Sequence, residues 1–384
     1  NNEIIKMTHL AHKYSFKDLL EGLEEEVKKD FINWQVHPDY SHLKIYSYSN
    51  SCTFEKRWND FTRMARGLIL DVKNEKIVAT PFPKFFNYGE VINEIPNEPF
   101  ETFEKLDGSL LILFYYDNKW QTATRGSFNS DQAKWAQNHL IKSLDLFKLL
   151  NAYKDATYLF EAIYKENRIV INYDYEGLVL LGGYDINGLE LDKNHLDSLG
   201  FKRPKNYQYD NLDNLLEIAK TLPANDEGFV VKFQNGFRVK IKGDEYCRVH
   251  RLISNCTPLA VWESYKNCDN LEEIKKQLPE EFQIDMNNIY KLLSEKYLIN
   301  LEIVEELYES TKQLSDKELG ILLPTVRSDL AKFIFPCRKT NFLETIKTPS
   351  KERDKFFEVF RPKANKLEGY TPSTSINRFN NENT

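Results

Sequence analysis

Lys105 stands two residues before the pair Asp107-Gly108, at the mouth of the apolar run "SLLILFYY". An amine at such a place is either a solvated charge at a strand end or a nucleophile held at a fixed point. Other charges bear on the choice. In "FRVKIK" the side chains of a strand alternate faces, so Arg238, Lys240 and Lys242 share one face while Phe237, Val239 and Ile241 share the other. A row of like charges beside a buried-looking strand is costly unless an anion answers it. Arg66 opens "RGLILD", Lys84 lies beside two aromatics, Glu161 interrupts "YLFEAIY", and Glu227 opens "EGFVVKF". Each alone reads as an exposed edge or a salt bridge. Together they make a polyphosphate site, with cations, one amine nucleophile, and carboxylates for a ribose or a hydrated metal.

The elements that must position these residues follow from hydrophobic period. Residues 1–35 alternate at helical spacing around "FKDLLEGLEEEVKKDF". From about 43 to 250 the pattern predicts strands in "RGLILDV", "SLLILFYY", "TYLFEAIY", "RIVINY", "GLVLLGG", "EGFVVKF" and "FRVKIK". Asp117-Asn118 and Asn235-Gly236 are hairpin signals. A helix over "SDQAKWAQNHLIKSLDLFKLL" is expected to keep Ala133, Ala136, Leu140 and Leu144 on one face. Further on, Asn270 and Glu273 have capping-box spacing in a helix that Pro279 stops. Met286, Ile289, Leu293, Tyr297, Leu301, Val304 and Leu307 then form a long helical stripe. The tail "TPSTSINRFNNENT" has no core-forming pattern. This predicts two domains, 1–250 strand-rich and 251–384 helical.

Composition sets the outer bounds. With 384 residues, 41% apolar and 13% aromatic, the chain can bury more than one core. No run of 18 apolar residues exists, and the first twenty residues lack a secretory leader, so a cytoplasmic protein away from membranes is expected. Five scattered cysteines without a C-x-x-C argue against a zinc site and a disulfide framework. A net charge of −6 is awkward for a nucleic-acid partner, but a basic groove can sit on an acidic body. His9 and His12 at helical spacing read as a surface helix face rather than a metal pair.

The ordered set Lys105-Leu106-Asp107-Gly108, Phe160-Glu161, Glu227-Gly228 and Lys240-Ile241-Lys242 resembles the motifs of covalent nucleotidyltransferases. "ARGLIL", "PKFFN", "ENRIV" and "KIKGDEY" look more specifically like ATP-dependent RNA ligases of the bacteriophage tRNA-repair type, from about 43 to 250. The resemblance implies an α+β fold, an antiparallel-sheet nucleotidyltransferase domain followed by a smaller all-helical domain that selects RNA. It implies that Lys105 takes AMP from ATP as a phosphoramidate, with neighbouring cations favouring its neutral form. Tyr48, Arg66, Lys84, Phe86, Asp107, Gly108, Arg125, Glu161, Lys240 and Lys242 would form the nucleotide site, and Glu227, Lys240 and Lys242 would share in catalysis. Glu227 and Asp269 would serve Mg2+, or Mn2+ in its place. Asp269 also has a plain reading as a helix cap. The implied partner is RNA with 5′-phosphate and 3′-hydroxyl ends, such as cleaved tRNA, handled by a monomer. An mRNA capping guanylyltransferase or a DNA ligase would use the same lysine, but those families follow the last lysine motif with a β-rich domain. A pure RNA-binding module would not need Lys105, Glu227, Lys240 and Lys242 intact.

Overall fold

A computed structural model describes residues 8–372 apart from Gln277, Pro279 and Arg327, and the side chains of these residues except Ile253, Glu281 and Ser328. The helix stop at Pro279 and the tail from 373 lie outside the described residues. Contacts divide the chain into two compact units, the first up to His250 and the second from Arg251 to Ser373.

Among its described residues the first unit carries three sheets. One has the order β1 (Ile32–Val36), β2 (Leu43–Tyr48), β3 (Arg66–Asp71), β4 (Lys76–Ala79). The second runs β10 (Gly177–Tyr184), β9 (Thr157–Ile163), β7 (Ser109–Tyr116), β8 (Lys119–Ala123). The third runs β11 (Asn206–Tyr207), β6 (Phe100–Glu104), β12 (Gly228–Phe233), β13 (Arg238–Lys242), β5 (Phe86–Asn87). Every pairing among these strands is antiparallel except β13 with β5. The β7–β8 turn is tight because Asp117 and Asn118 both adopt left-handed backbone, φ 51 and 58, as a two-residue hairpin loop demands.

The first two sheets share a core that includes Ile45, Ile69, Ile112, Phe114 and Leu159. Helix Asp131–Lys142 packs Ala136 and Leu140 on the outer face of the second sheet. Helix Leu212–Thr221 covers the back of the third, where Val231, Val239 and Ile241 are fully buried. That burial fixes the register of β13, since a slip of one residue would drive Lys240 into the core. The second unit is helical among its described residues. Met286, Ile289, Leu293 and Val304 of helix Glu280–Ser310 pack on Trp262, Phe333, Phe356 and Phe357.

Four local expectations are corrected. "RIVINY" is not a strand: the Val170 and Ile171 amides donate to a side chain, Asp107 Oδ2, rather than to a ladder partner. Leu144 is exposed, because helix Asp131–Lys142 ends at Ser143 and the chain restarts in a new direction. Helical pattern does not reach 35, since helix Phe16–Lys28 is followed by β1. His9 is buried rather than on a surface helix, with Nε2 2.7 Å from the Pro81 carbonyl, and desolvation lowers its pKa to about 3.

Candidate active site

The third sheet brings the distant motifs together. Phe229 of β12 pairs with Glu104 of β6, and Gly228 pairs with Lys242 of β13. The Lys105 amide donates to the Gly228 carbonyl at 2.9 Å, which ties the residue after β6 to the start of β12. Gly228 has φ 136, and a Cβ there would stand 2.0 Å from the Ile241 carbonyl oxygen, so no other residue fits. Gly108 is required for a different reason: a Cβ would lie 2.6 Å from the Ala162 carbonyl oxygen, where β7 and β9 run close.

Lys105 Nζ sits 2.7 Å from Glu227 Oε1, and Lys242 Nζ reaches the same oxygen at 3.5 Å. Glu227 is 4% exposed and Lys242 7%, so the knot is shielded from water. The nearest charge to Lys105 is therefore a carboxylate, where cations were expected. Two ammonium groups at this depth need a counter-charge, and Glu227 supplies it.

Asp107 is turned inward. Oδ2 accepts from the Val170 and Ile171 amides at 2.9 Å each, Oδ1 accepts from the Tyr246 hydroxyl at 2.8 Å, and the Asp107 amide donates to the Tyr173 hydroxyl oxygen at 2.8 Å. Both carboxylate oxygens are committed to the protein. Asp107 is thus a positioning residue that fixes the turn carrying Lys105, and not the nucleotide contact the resemblance implies.

A cavity of about 280 Å³ draws on all three sheets and brings together Arg66, Lys105, Gly108, Glu161 and Lys240. Phe82, Phe85, Leu181 and Val230 give it apolar walls. Glu161 Oε1 accepts from the Gly108 amide at 3.1 Å. Burial raises the Glu161 carboxyl to about 7; Lys105 pulls it back, while Glu227 and Asp107 push it up.

Tyr48, Lys84, Phe86 and Arg125 gather beside this cavity rather than in its lining. Lys84 Nζ lies 5.4 Å from the Tyr48 ring centroid and 5.5 Å from that of Phe86, and Arg125 stacks over Tyr48 at 4.7 Å. Trp58, which sequence reasoning missed, completes the cluster at 5.3 Å from Lys84. Lys84 and Phe86 line an adjoining cavity of about 230 Å³, and Phe85 borders both cavities. Arg66 and Lys240 lie 5.4 Å and 5.9 Å from the Phe85 ring.

Glu190 was also missed. It takes both arms of Arg238 and, on Oε2, Lys232 Nζ at 2.7 Å. Its position in "LEL", an acid between two apolar residues, is the same signal that drew attention to Glu161. Asp269 belongs to the second unit and is exposed. It is not the helix cap; Asn270 Oδ1 fills that role by accepting from the Glu273 amide at 3.3 Å.

Among the described residues no helix is long and apolar enough to cross a membrane. A candidate bifunctional polynucleotide kinase/RNA ligase of Autographa californica nuclear polyhedrosis virus is 32% identical over 247 residues, 56% of this chain and 35% of that protein. This chain therefore spans about a third of that relative's length. A candidate RNA ligase of Thermovibrio ammonificans is 26% identical over 344 residues, 81% of this chain and 87% of its own. Among solved structures, an archaeal ATP-dependent RNA ligase overlaps 70% of this chain and 76% of its own, at 14% identity and a TM-score of 0.47. So loose an overlap adds no weight to the strand pairing above. The model of the RNA ligase family matches residues 64–246, a span that holds every site residue named above except Tyr48, Trp58 and Asp269. Over that span, just under half of the chain, the sequence is similar to the RNA ligase family.

Proposed function

We propose that the chain is an ATP-dependent RNA ligase that works through a lysyl-AMP at Lys105. The observation that carries this reading is the Lys105 amine, held 2.7 Å from buried Glu227 on a cavity that also presents Arg66, Glu161 and Lys240. In the first step Nζ attacks the α-phosphorus of ATP; an N–P bond forms and the P–O bond to pyrophosphate breaks. Glu227 Oε1 is the acceptor at hand for the Nζ proton. In the second step an oxygen of an RNA 5′-phosphate attacks the same phosphorus and the N–P bond breaks, restoring the amine. In the third a 3′-hydroxyl attacks the RNA phosphate, and AMP leaves as the strand is sealed.

The cavity residues divide this work. Lys240 and Arg66 offset negative charge on the phosphates, Lys84 does so from the adjoining cavity, and the walls at Phe82, Phe85, Leu181 and Val230 suit the face of a purine. Glu161 accepts from a ribose hydroxyl. Burial raises the Glu161 carboxyl and the charge of Glu227 adds to that rise, so the two carboxylates sense each other, and carboxylate oxygen is the donor a hard divalent cation prefers. Glu227 would hold Mg2+ or Mn2+, and the bound ion would neutralise phosphate charge. The helical unit would choose the RNA, with cleaved tRNA as one candidate class.

The test is sealing of a panel of 5′-phosphorylated, 3′-hydroxyl RNAs, broken anticodon stem-loops included, against matched DNAs. RNA joined with ATP is the expected result. Joining of DNA alone, or a protein labelled by GTP and not by ATP, would overturn the reading.

A further inference from the structure

The helical unit contains a cavity of about 490 Å³, within the size range of small-molecule sites. Tyr290 and Tyr297 line it from helix Glu280–Ser310, seven residues apart and so on one face. Tyr265 meets both edge-on, at 5.0 Å and 5.9 Å between centroids. None of the three hydroxyls has a hydrogen-bond partner among the described residues. Tyr290 is 39% exposed.

The surroundings are rigid. Arg353 is 4% exposed and donates to the carbonyls of Lys266, Tyr265 and Ile346 at 2.7, 2.8 and 2.6 Å. Its guanidinium lies 5.7 Å from the rings of both Tyr265 and Tyr297, so the aromatic floor is held in place before any ligand arrives. Lys275 Nζ is fixed by Glu272 at 2.8 Å and Asn287 at 3.2 Å. The Asp269 carboxylate also lines the cavity, as an acceptor with no partner among the described residues.

Three cations, Lys275, Lys347 and Arg353, stand there against Asp269 and Glu272. Arg353 is committed to three backbone carbonyls, Lys275 to Glu272 and Asn287, and Lys347 to Glu344, which does not suit a phosphate site. A groove for an apolar peptide would lack so many polar edges. What remains is a flat ring with hydrogen-bonding edges. We propose that this cavity binds one unstacked nucleobase of single-stranded RNA, stacked on the tyrosines and read along its N–H edge by Asp269. The proposal rests on the RNA ligase reading and gives the helical unit a specific contact.

Cys268 also lines the cavity and is exposed, whereas the other four cysteines are buried. Alkylation of Cys268 therefore reports occupancy without any ligation. Short single-stranded homopolymers of A, C and U are the probes. At least one should slow alkylation in the full chain. Tyr290→Ala should remove that protection and weaken RNA binding about tenfold, while Tyr290→Phe retains both. ATP should label all three proteins equally. If no homopolymer slows alkylation, or Tyr290→Ala binds as tightly as wild type, the proposal is wrong even when Lys105 is labelled. Protection of Cys268 without any protein-AMP would instead leave the cavity standing and remove the ligase reading.

Discussion

Glu190 and Glu227 are both carboxylates in the interior of the first unit, each holds two cations, and each takes one of them from β13. Their partners differ in kind. At Glu190 the β13 partner is Arg238, whose planar fork engages both oxygens; burial opposes the charge, but Arg238 and Lys232 outweigh it and hold the carboxyl down at about 2. A guanidinium is never neutral in water, so Arg238 cannot act as a nucleophile there; the second partner, Lys232, is an amine on the same cavity. At Glu227 both partners are primary amines, and one of them, Lys105, ends on the cavity. On the proposed reading the amine at Glu227, Lys105, is the reactive group, whereas at Glu190 the two-pronged Arg238 makes a fastening. Lys240 lies between the two on the same face, open to the cavity.

The largest effect follows from exchanging those two chemistries. Lys105→Arg keeps the charge beside Glu227 and should abolish protein-AMP formation, as should Lys105→Ala; RNA already carrying 5′-AMP should still be sealed weakly. Labelling of the arginine variant at the wild-type level would erase the distinction between fastening and reactive group.

At the fastening, Glu190→Gln leaves two cations without their anion and should cost roughly 3–5 kcal/mol in chemical denaturation. The sign with pH follows from the shift. Glu190 is lowered from 4.5 to about 2, so its contribution, about 3 kcal/mol, is present above pH 4.5 and lost as the pH falls toward 2. The glutamine variant should lack that acid limb; an unchanged acid limb would mean that Glu190 is not the group responsible.

β13 itself gives a contrast of adjacent residues. Lys240→Ala should slow labelling by ATP about a hundredfold with little change in melting. Val239→Ala, on the buried face, should leave labelling nearly intact and lower stability by about 1–2 kcal/mol. Were both variants simply to melt earlier, the cations of β13 would be structural throughout.

The smallest effect concerns Glu161. Its pKa is raised from 4.5 to about 7, so the folded state gains below pH 4.5 relative to neutral pH and loses that gain as pH rises through 7. Glu161→Gln should therefore be more stable than wild type above pH 7, by about 1–3 kcal/mol, and equal to it below 4.5. Denaturation midpoints across that range check the sign.

The parts of this arrangement that period alone can express were legible in the sequence. Alternation in "FRVKIK" places Val239 and Ile241 in the core and Lys240 on the cavity, as the fold has them. What was not legible depends on partners distant in the chain. "RIVINY" reads as a strand because its residues favour one, yet its amides are claimed by Asp107, more than sixty residues away. For the same reason Asp107 looked like a ligand contact. The row of cations on β13 suggested an anionic ligand, and two of its three members face protein carboxylates instead. Leu144 fits the helical stripe, but nothing local to the sequence marks Ser143 as the place where the helix ends.

The central claim is that the reactive amine of this fold is Lys105 and the nucleotide is ATP. It is tested most directly by incubating the full chain with ATP and a divalent cation, then locating the adduct by peptide mass spectrometry. One AMP on Lys105, absent with GTP, is the predicted result. No adduct, or an adduct confined to another lysine such as Lys240 or Lys242, would contradict it.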